Sequence, residues 1–275
     1  MNKLLSAGFI RLKKSKVFLV LALFMIGFGL YMPIGSYMDM KRYHFVHVLD
    51  DTFFSQISLI GIIIAIFCSL FLGTEYSDGT IRNKLIVGHS RISISISNLI
   101  LCTIAGIALS LTYMITCACA GIPLLGFFQI DAKTAAMLIL CSIIISITYT
   151  SIFTFIAMLL HNKAVLSTVS IIAAFVLIFA ASYLNSVLSQ PEMRTDYIIN
   201  ASGEVTQSEP VPNEFYPTGT KRKVYEFLME FLPSGQSFLV LYGEPPYVRV
   251  IFYDCLIFVS ITGIGLFAFS KKDIN

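Results

Sequence analysis

The chain has 275 residues, 56% of them apolar and only 13% charged. A soluble domain carries roughly 25% charged residues, so a water-soluble globule is excluded, and a mean hydropathy of +0.81 agrees. The net charge of +3 excludes little; where the positive residues fall matters more. Six cysteines (Cys68, Cys102, Cys117, Cys119, Cys141, Cys255) lie in apolar runs, none in a metal-ligand neighbourhood of His and carboxylates, and read as small buried residues with free thiols. The basic start leads into a full-length span with no small-residue cleavage site, so it does not read as a cleaved signal.

Residues 1–16 hold Lys3, Arg11, Lys13, Lys14 and Lys16 and no acid. Leu5, Phe9 and Leu12 recur at helical spacing, which predicts an amphipathic helix lying at a membrane surface rather than a structureless basic tail. Span one follows at 17–38, with Pro33 near its far end able to kink or stop it. The short polar loop 39–51 carries His44 and His47, which lack further ligands and read as surface residues. Span two covers 53–73.

A polar island then interrupts two long apolar runs. It reads Glu75-Tyr76-Ser77-Asp78-Gly79-Thr80-Ile81-Arg82-Asn83-Lys84-Leu85, closing on Ser90-Arg91. Such a segment cannot sit in hydrocarbon, where its charges and loop backbone would be unpaired. Ser77 or Asp78 can cap a short helix, Ile81 and Leu85 form one greasy edge, and Gly88 can end it. Chemistry alone fits equally a helix gripped by a partner, with Glu75 and Arg82 as polar contacts, and a loop touching only headgroups.

Ile92 to Ile130 is uncharged for 39 residues, too long for one straight span. Span three is placed at 97–121, ended by Pro123. The alternation Ile92-Ser93-Ile94-Ser95-Ile96-Ser97 has a strand period, but a lone open strand entering lipid has unpaired edges, so helix is expected. Spans four and five are 134–160 and 164–185, joined by the tight turn His161-Asn162-Lys163. Prolines and acids then concentrate in 186–247, a water-exposed segment. Within it Val224, Phe227, Leu228 and Phe231 mark one face of a short helix closed by Pro233. That helix either packs within the loop or lies on the membrane surface and dips in. Span six is 248–270. The N-terminal cations, Arg82, Lys84, Arg91, Lys163 and Lys271–Lys272 fall on one side, which the positive-inside rule makes cytoplasmic.

No G-x-x-x-x-G-K-[ST] motif occurs, so the chain should not hydrolyse ATP. Asp254, early in span six, reads either as a pathway residue or as an outer-interface carboxylate favoured in the first helical turn by the helix dipole; the second is preferred. Asn98 and Asn185 read as helix–helix contacts. Asn200-Ala201-Ser202 fits a glycosylation acceptor, a triplet common by chance.

The island, from Glu75 through Arg91, resembles the loop after span two of bacterial ABC-2 type permeases, the membrane subunits of ABC exporters that include bacteriocin and antibiotic self-protection transporters. The ending Phe267-Ala268-Phe269-Ser270-Lys271-Lys272-Asp273-Ile274 resembles the family's apolar helix with a basic, Asp-containing tail. The resemblance implies an all-α integral membrane protein in a bacterial plasma membrane. It would have six transmembrane helices, an interfacial elbow helix at 3–14, cytoplasmic termini and a large extracellular loop. It implies that 75–91 is the coupling segment, with Glu75, Asp78, Gly79, Thr80, Ile81, Arg82, Leu85 and Arg91 as its residues. The implied partners are a separate ABC ATPase, a second permease protomer and membrane lipids, with no nucleic acid. ATP and Mg would sit on the ATPase, with no cofactor or metal on this chain. Relatives have re-entrant helices before span six, for which Val224–Leu232 is the candidate. The implied function is export of an amphipathic peptide, lipid or drug, antimicrobial-peptide resistance among the uses. The rival reading is a non-transporting sensor that binds a ligand through its outer loop.

Overall fold

The computed structural model describes residues 1–195, 197–199, 205–207, 209–242 and 245–271. The Asn200 triplet and the tail from Lys272 lie outside the described residues. The elements are α1 (Asn2–Lys13), α2 (Lys16–Tyr43), α3 (Leu49–Phe53), α4 (Ile57–Ser77), α5 (Thr80–Ile86), α6 (Arg91–Leu125), α7 (Ala132–Leu159) and α8 (Lys163–Leu188), then β1 (Met193–Arg194), β2 (Tyr197–Ile199), β3 (Val205–Gln207), β4 (Val211–Pro212), α9 (Gly219–Phe231), α10 (Pro233–Leu241) and α11 (Tyr247–Lys271). Among the described residues, six helical segments are long and apolar enough to cross a membrane: α2, α3 with α4, α6, α7, α8 and α11.

In lipid every backbone group must be satisfied within the chain, and helices do this segment by segment. That constraint explains why 92–97 is helix despite its strand-like alternation: it forms the first turns of α6. Pro33 does not stop α2, which runs ten residues further to Tyr43; a proline is tolerated where neighbouring helices surround the freed carbonyl. Pro123 falls inside α6, whose end at Leu125 is set by Gly126 at φ 89. Asp131 caps α7 by accepting from the Lys133 and Thr134 amides at 3.1 Å. The Thr134 hydrogen bonds hold its carboxyl below the usual carboxylate range.

α4, α6 and α7 form the buried centre, while α2, α8 and α11 are largely uncovered. α2 lies along α6, α11 along α7, and α4 between α7 and α8. Lipid tails are as apolar as the helices, so close packing and polar contacts hold such a bundle together. Gly29 brings the α2 backbone against Tyr113 O, and Gly265 brings α11 against Phe155 and Met158. Ser110 Oγ and Ser146 Oγ, 3.1 Å apart, join α6 to α7. At the end of the bundle away from α1, the Tyr113 hydroxyl donates to Thr52 O at 2.7 Å, and Asp50 accepts from the amides of Gln129 and Ile130. Four cysteines are buried, but Cys119 and Cys255 are exposed, correcting the expectation that all six are inside.

The segment after α8 is more ordered than a loop. β1 pairs antiparallel with β4 and β2 with β3, as two separate two-stranded sheets. α9 and α10 then make a helical corner. Pro233 does not merely close α9; it is the first residue of α10, with Leu232 extended before it, as the residue preceding a proline prefers. α10 packs against α4, α7 and α8 and buries Pro233, Ser234, Gly235, Gln236, Ser237 and Val240. The corner, Phe231 to Pro233, shares an apolar cavity of about 360 Å³ with Leu177 and Ile257, residues at mid-length of α8 and α11. The α9–α10 hairpin thus reaches halfway down the bundle.

This packing separates two glycines. A methyl on Gly235 would lie 2.2 Å from Met229 O, whereas one on Gly263 would meet nothing within 4 Å. Gly235→Ala is expected to destabilise the protein by about 1–3 kcal/mol. Gly263→Ala should be neutral or stabilising by up to about 1 kcal/mol. Thermal unfolding of both variants in nanodiscs checks the contrast.

Candidate functional site

The polar island folds against the end of the bundle that carries α1. α4 stops at Ser77, Asp78 caps it, and Gly79 turns the chain at φ 65 to begin α5. Neither Ser77 nor Asp78 caps α5 with its side chain. Asp78 is already used at the end of α4, and the left-handed position that follows suits a residue without Cβ. α5 closes in a Schellman motif: the Gly88 amide donates to Leu85 O at 2.9 Å and the His89 amide to Lys84 O at 3.1 Å, with Gly88 at φ 95. Ser90 then caps α6 through the Ser93 amide.

Glu75 does not face outward. It lies in the last turn of α4 with 2% of its side chain exposed. Three other elements converge on it. Arg11 of α1 and Lys84 of α5 both pair with Oε1, and the Asn98 amide of α6 donates to Oε2 at 2.9 Å. The Arg11 guanidinium also lies 3.8 Å over the Phe71 ring, a cation–π contact. A carboxylate in the last turn of a helix is opposed by the helix dipole, and a buried one needs a partner. Arg11, Lys84 and Asn98 meet both requirements. The sequence reading offered Glu75 as a candidate polar contact to a partner; here its carboxylate is paired inside the chain.

The expected greasy edge is corrected. Ile81, 2% exposed, packs on Met158 of α7 and Phe269 of α11, with Leu85 beside it. Thr80 and Gly79 are half-buried at the turn. Arg91 reaches 3.5 Å from Phe269 O, pinning the start of α6 to the end of α11. The face turned outward carries Asp78, Arg82, Asn83, Ile86 and Val87, the last two 75% and 77% exposed. Sequence reading missed Ile86 and Val87. The signal was there: Leu85-Ile86-Val87 is apolar on more than one face of a two-turn helix, and only one face can be buried.

α1 also turns differently from expectation. Its buried stripe is Leu4, Gly8 and Leu12, with Leu5 and Phe9 only partly covered. Gly8 sits against Leu101 of α6. Arg11 lies beside this buried stripe and so reaches Glu75. On the far side of Glu75, the Tyr76 ring meets His161 edge-on at 5.4 Å, which brings in the α7–α8 turn. Asp254 takes no part in the cluster. It lies two turns into α11, not in the first turn, and is wholly buried, with neither carboxylate oxygen hydrogen-bonded among the described residues. Thr148 of α7 lies beside it. The interface reading is corrected by this position.

Six apolar helices and an ion-paired stub folded onto one end of them define a multi-pass helical membrane protein. The family model described as ABC-2 family transporter protein matches residues 4–181. That is more than half of the chain, and the protein belongs to this family, whose members are the membrane components of ABC transporters and normally work with an ABC ATPase. Among curated proteins, none matches.

Removing the charge tests the cluster. Glu75→Gln leaves Arg11 and Lys84 facing each other without a counterion. The cost expected is about 3 kcal/mol, the low end for breaking a buried pair, because both cations keep some access to water. Arg11→Ala or Lys84→Ala alone should cost less, since Glu75 retains the other cation. Thermal unfolding gives the stabilities, and hydrogen exchange should show α1 and α5 loosening together in Glu75→Gln.

Proposed function

We propose that this chain is the permease subunit of an ABC exporter in a bacterial plasma membrane, with 75–91 as the seat of a separate ATPase. The cargo is an amphipathic peptide, lipid or drug, and two protomers enclose its path. The observation that carries the reading is the outward face of α5. It presents an apolar tip, Ile86 and Val87, beside the charges of Arg82 and Asp78, on a stub fastened from behind by Glu75. An exposed apolar tip rimmed by polar residues marks a protein contact. The charge pattern supports a cytoplasmic position for this end, because α1, Arg82, Lys84, Arg91, Lys163 and Lys271 gather there. α1 would lie at the interface as an elbow, its exposed lysines towards headgroups. The lightly covered α2, α8 and α11 leave surface for lipid and for a second protomer.

In this reading nucleotide binding by the ATPase shifts α5, and the shift passes to α4 and α6 through Glu75 and to α7 and α11 through Ile81. A ligand moves such an equilibrium only as far as it binds the two states differently. ATP and Mg belong to the ATPase, and export rather than import follows the family resemblance. Replacing Ile86 and Val87 together by Asp is expected to lower copurification of the ABC ATPase with the tagged permease about 10-fold or more. Asn83→Ala on the same face should change it little. Full retention of the ATPase by the double variant would overturn the docking assignment. An unsubstituted permease that holds no ATPase would favour the sensor reading.

A further inference from the structure

Three buried oxygens without a hydrogen-bond partner among the described residues belong to side chains that line one small void next to Glu75. They are Ser95 Oγ and Asn98 Oδ1 on α6 and Thr154 Oγ1 on α7. All three residues line a single cavity, walled otherwise by Tyr76 and by apolar groups such as Leu72, Ile94 and Phe269. Its volume, about 10 Å³, is the room one water needs, and three polar partners are the usual number for a buried water.

The hydroxyl of Thr154 is unusual for its helix. On α7, Ser142, Ser146, Thr148, Thr150 and Ser151 each donate to a carbonyl one turn back. That bond is the ordinary way to satisfy a hydroxyl on a membrane helix. Thr154 makes no such bond, and its hydroxyl oxygen is buried. On α6, Asn98 gives its amide N–H to Glu75, which leaves its carbonyl oxygen for the cavity. Chemistry also selects the occupant. Three neutral oxygens are too few for a sodium or calcium shell, and Arg11 and Lys84 stand across Glu75 to repel a cation. An anion would meet the Glu75 carboxylate. A water can donate to Asn98 Oδ1, donate to one hydroxyl and accept from the other.

We propose that Ser95, Asn98 and Thr154 hold a buried water that extends the Glu75 cluster from α6 to α7. The polar chain then runs from Arg11 and Lys84 through Glu75 and Asn98 to the water and Thr154. It gives α5 a hydrogen-bonded link to α7, the helix along which α11 packs. Ser95 and Thr154 act as positioning residues. Their role in coupling rests on the function proposed above, whereas the hydration site itself does not.

Two readouts on the full chain, reconstituted with its ATPase in nanodiscs, separate these claims. A water-resolving cryo-EM map should show one isolated peak within hydrogen-bonding distance of all three oxygens, and Thr154→Val should lose it. Thr154→Val, which keeps the shape, should cut permease-stimulated ATP hydrolysis about 5-fold or more, a typical coupling factor. ATPase copurification should stay unchanged, and Thr154→Ser should restore the stimulation. An empty cavity in the parent protein overturns the site, as do contacts shorter than a hydrogen bond, which would mark a cation. Full stimulation in Thr154→Val, with the peak lost, overturns the link. A parent permease that fails to bind its ATPase refutes the functional reading instead, and the map still decides the water.

Discussion

A carboxylate placed in the last turn of a membrane-spanning helix is the constraint around which this end of the protein is built. Glu75 sits where the helix dipole disfavours it and where water scarcely reaches. Its presence demands cations, and the fold brings them from opposite directions in sequence. Arg11 comes from a helix that precedes the first span, and Lys84 from the stub that follows the second. Asn98 adds a neutral donor from the third. One charge therefore fixes three separate elements relative to α4, and each of them would have some freedom without it. A charged network suits this task because its geometry is directional. An apolar contact such as Ile81 against Met158 and Phe269 tolerates sliding, and an ion pair shared by two cations does not.

The rest of the bundle follows a different logic. Its centre, α4, α6 and α7, is held by close approach at small residues and by short hydroxyl bonds rather than by charge. Most serines and threonines of α7 satisfy themselves on their own helix, so they cost little in lipid, and Ser146 also meets Ser110 of α6. That leaves the bundle uniform except at its two ends. At one end the Glu75 cluster ties the stub to three helices, α1, α4 and α6. At the other, the α9–α10 hairpin enters beside α8 and α11 and stops at mid-length next to an apolar cavity.

The spans were legible because lipid makes an unusually strict demand. Long uncharged runs can only be helices there, and the same rule overrode the strand-like period of Ile92–Ser97. The turn chemistry of the stub was half legible. Gly88 ends α5 as its residue type suggests, but the cap at the start fell to Gly79, because one residue cannot close α4 and open α5 at once. Which face of a seven-residue helix is buried was not legible. The Ile81–Leu85 edge marked the apolar side correctly, yet its burial depends on Met158 and Phe269, far away in sequence. Glu75 was singled out for the right residue and the wrong direction. Nothing local distinguishes a carboxylate that waits for a partner from one already paired with residues 64 positions before it and 9 after. Arg11 shows the same limit: beside the apolar stripe of α1 it read as surface charge until α4 supplied its counterion.

Burial of Ile81 and exposure of Ile86 and Val87 together change what kind of object α5 is. Had Ile81 and Leu85 faced outward, a partner would have gripped a helix with only polar contacts to its own bundle. Instead the apolar side that looked like a docking edge is the root of the stub, and the proposed docking face is the side opposite. A stub rooted in this way cannot move independently of α7 and α11, because leaving them would expose Ile81 and strand the cations of Glu75. Force applied at Ile86 and Val87 in the proposed reading is then delivered to the bundle by construction. It needs no separate pathway, only that the contacts behind α5 be stiffer than the contacts between the spans. The two-cation carboxylate supplies that stiffness.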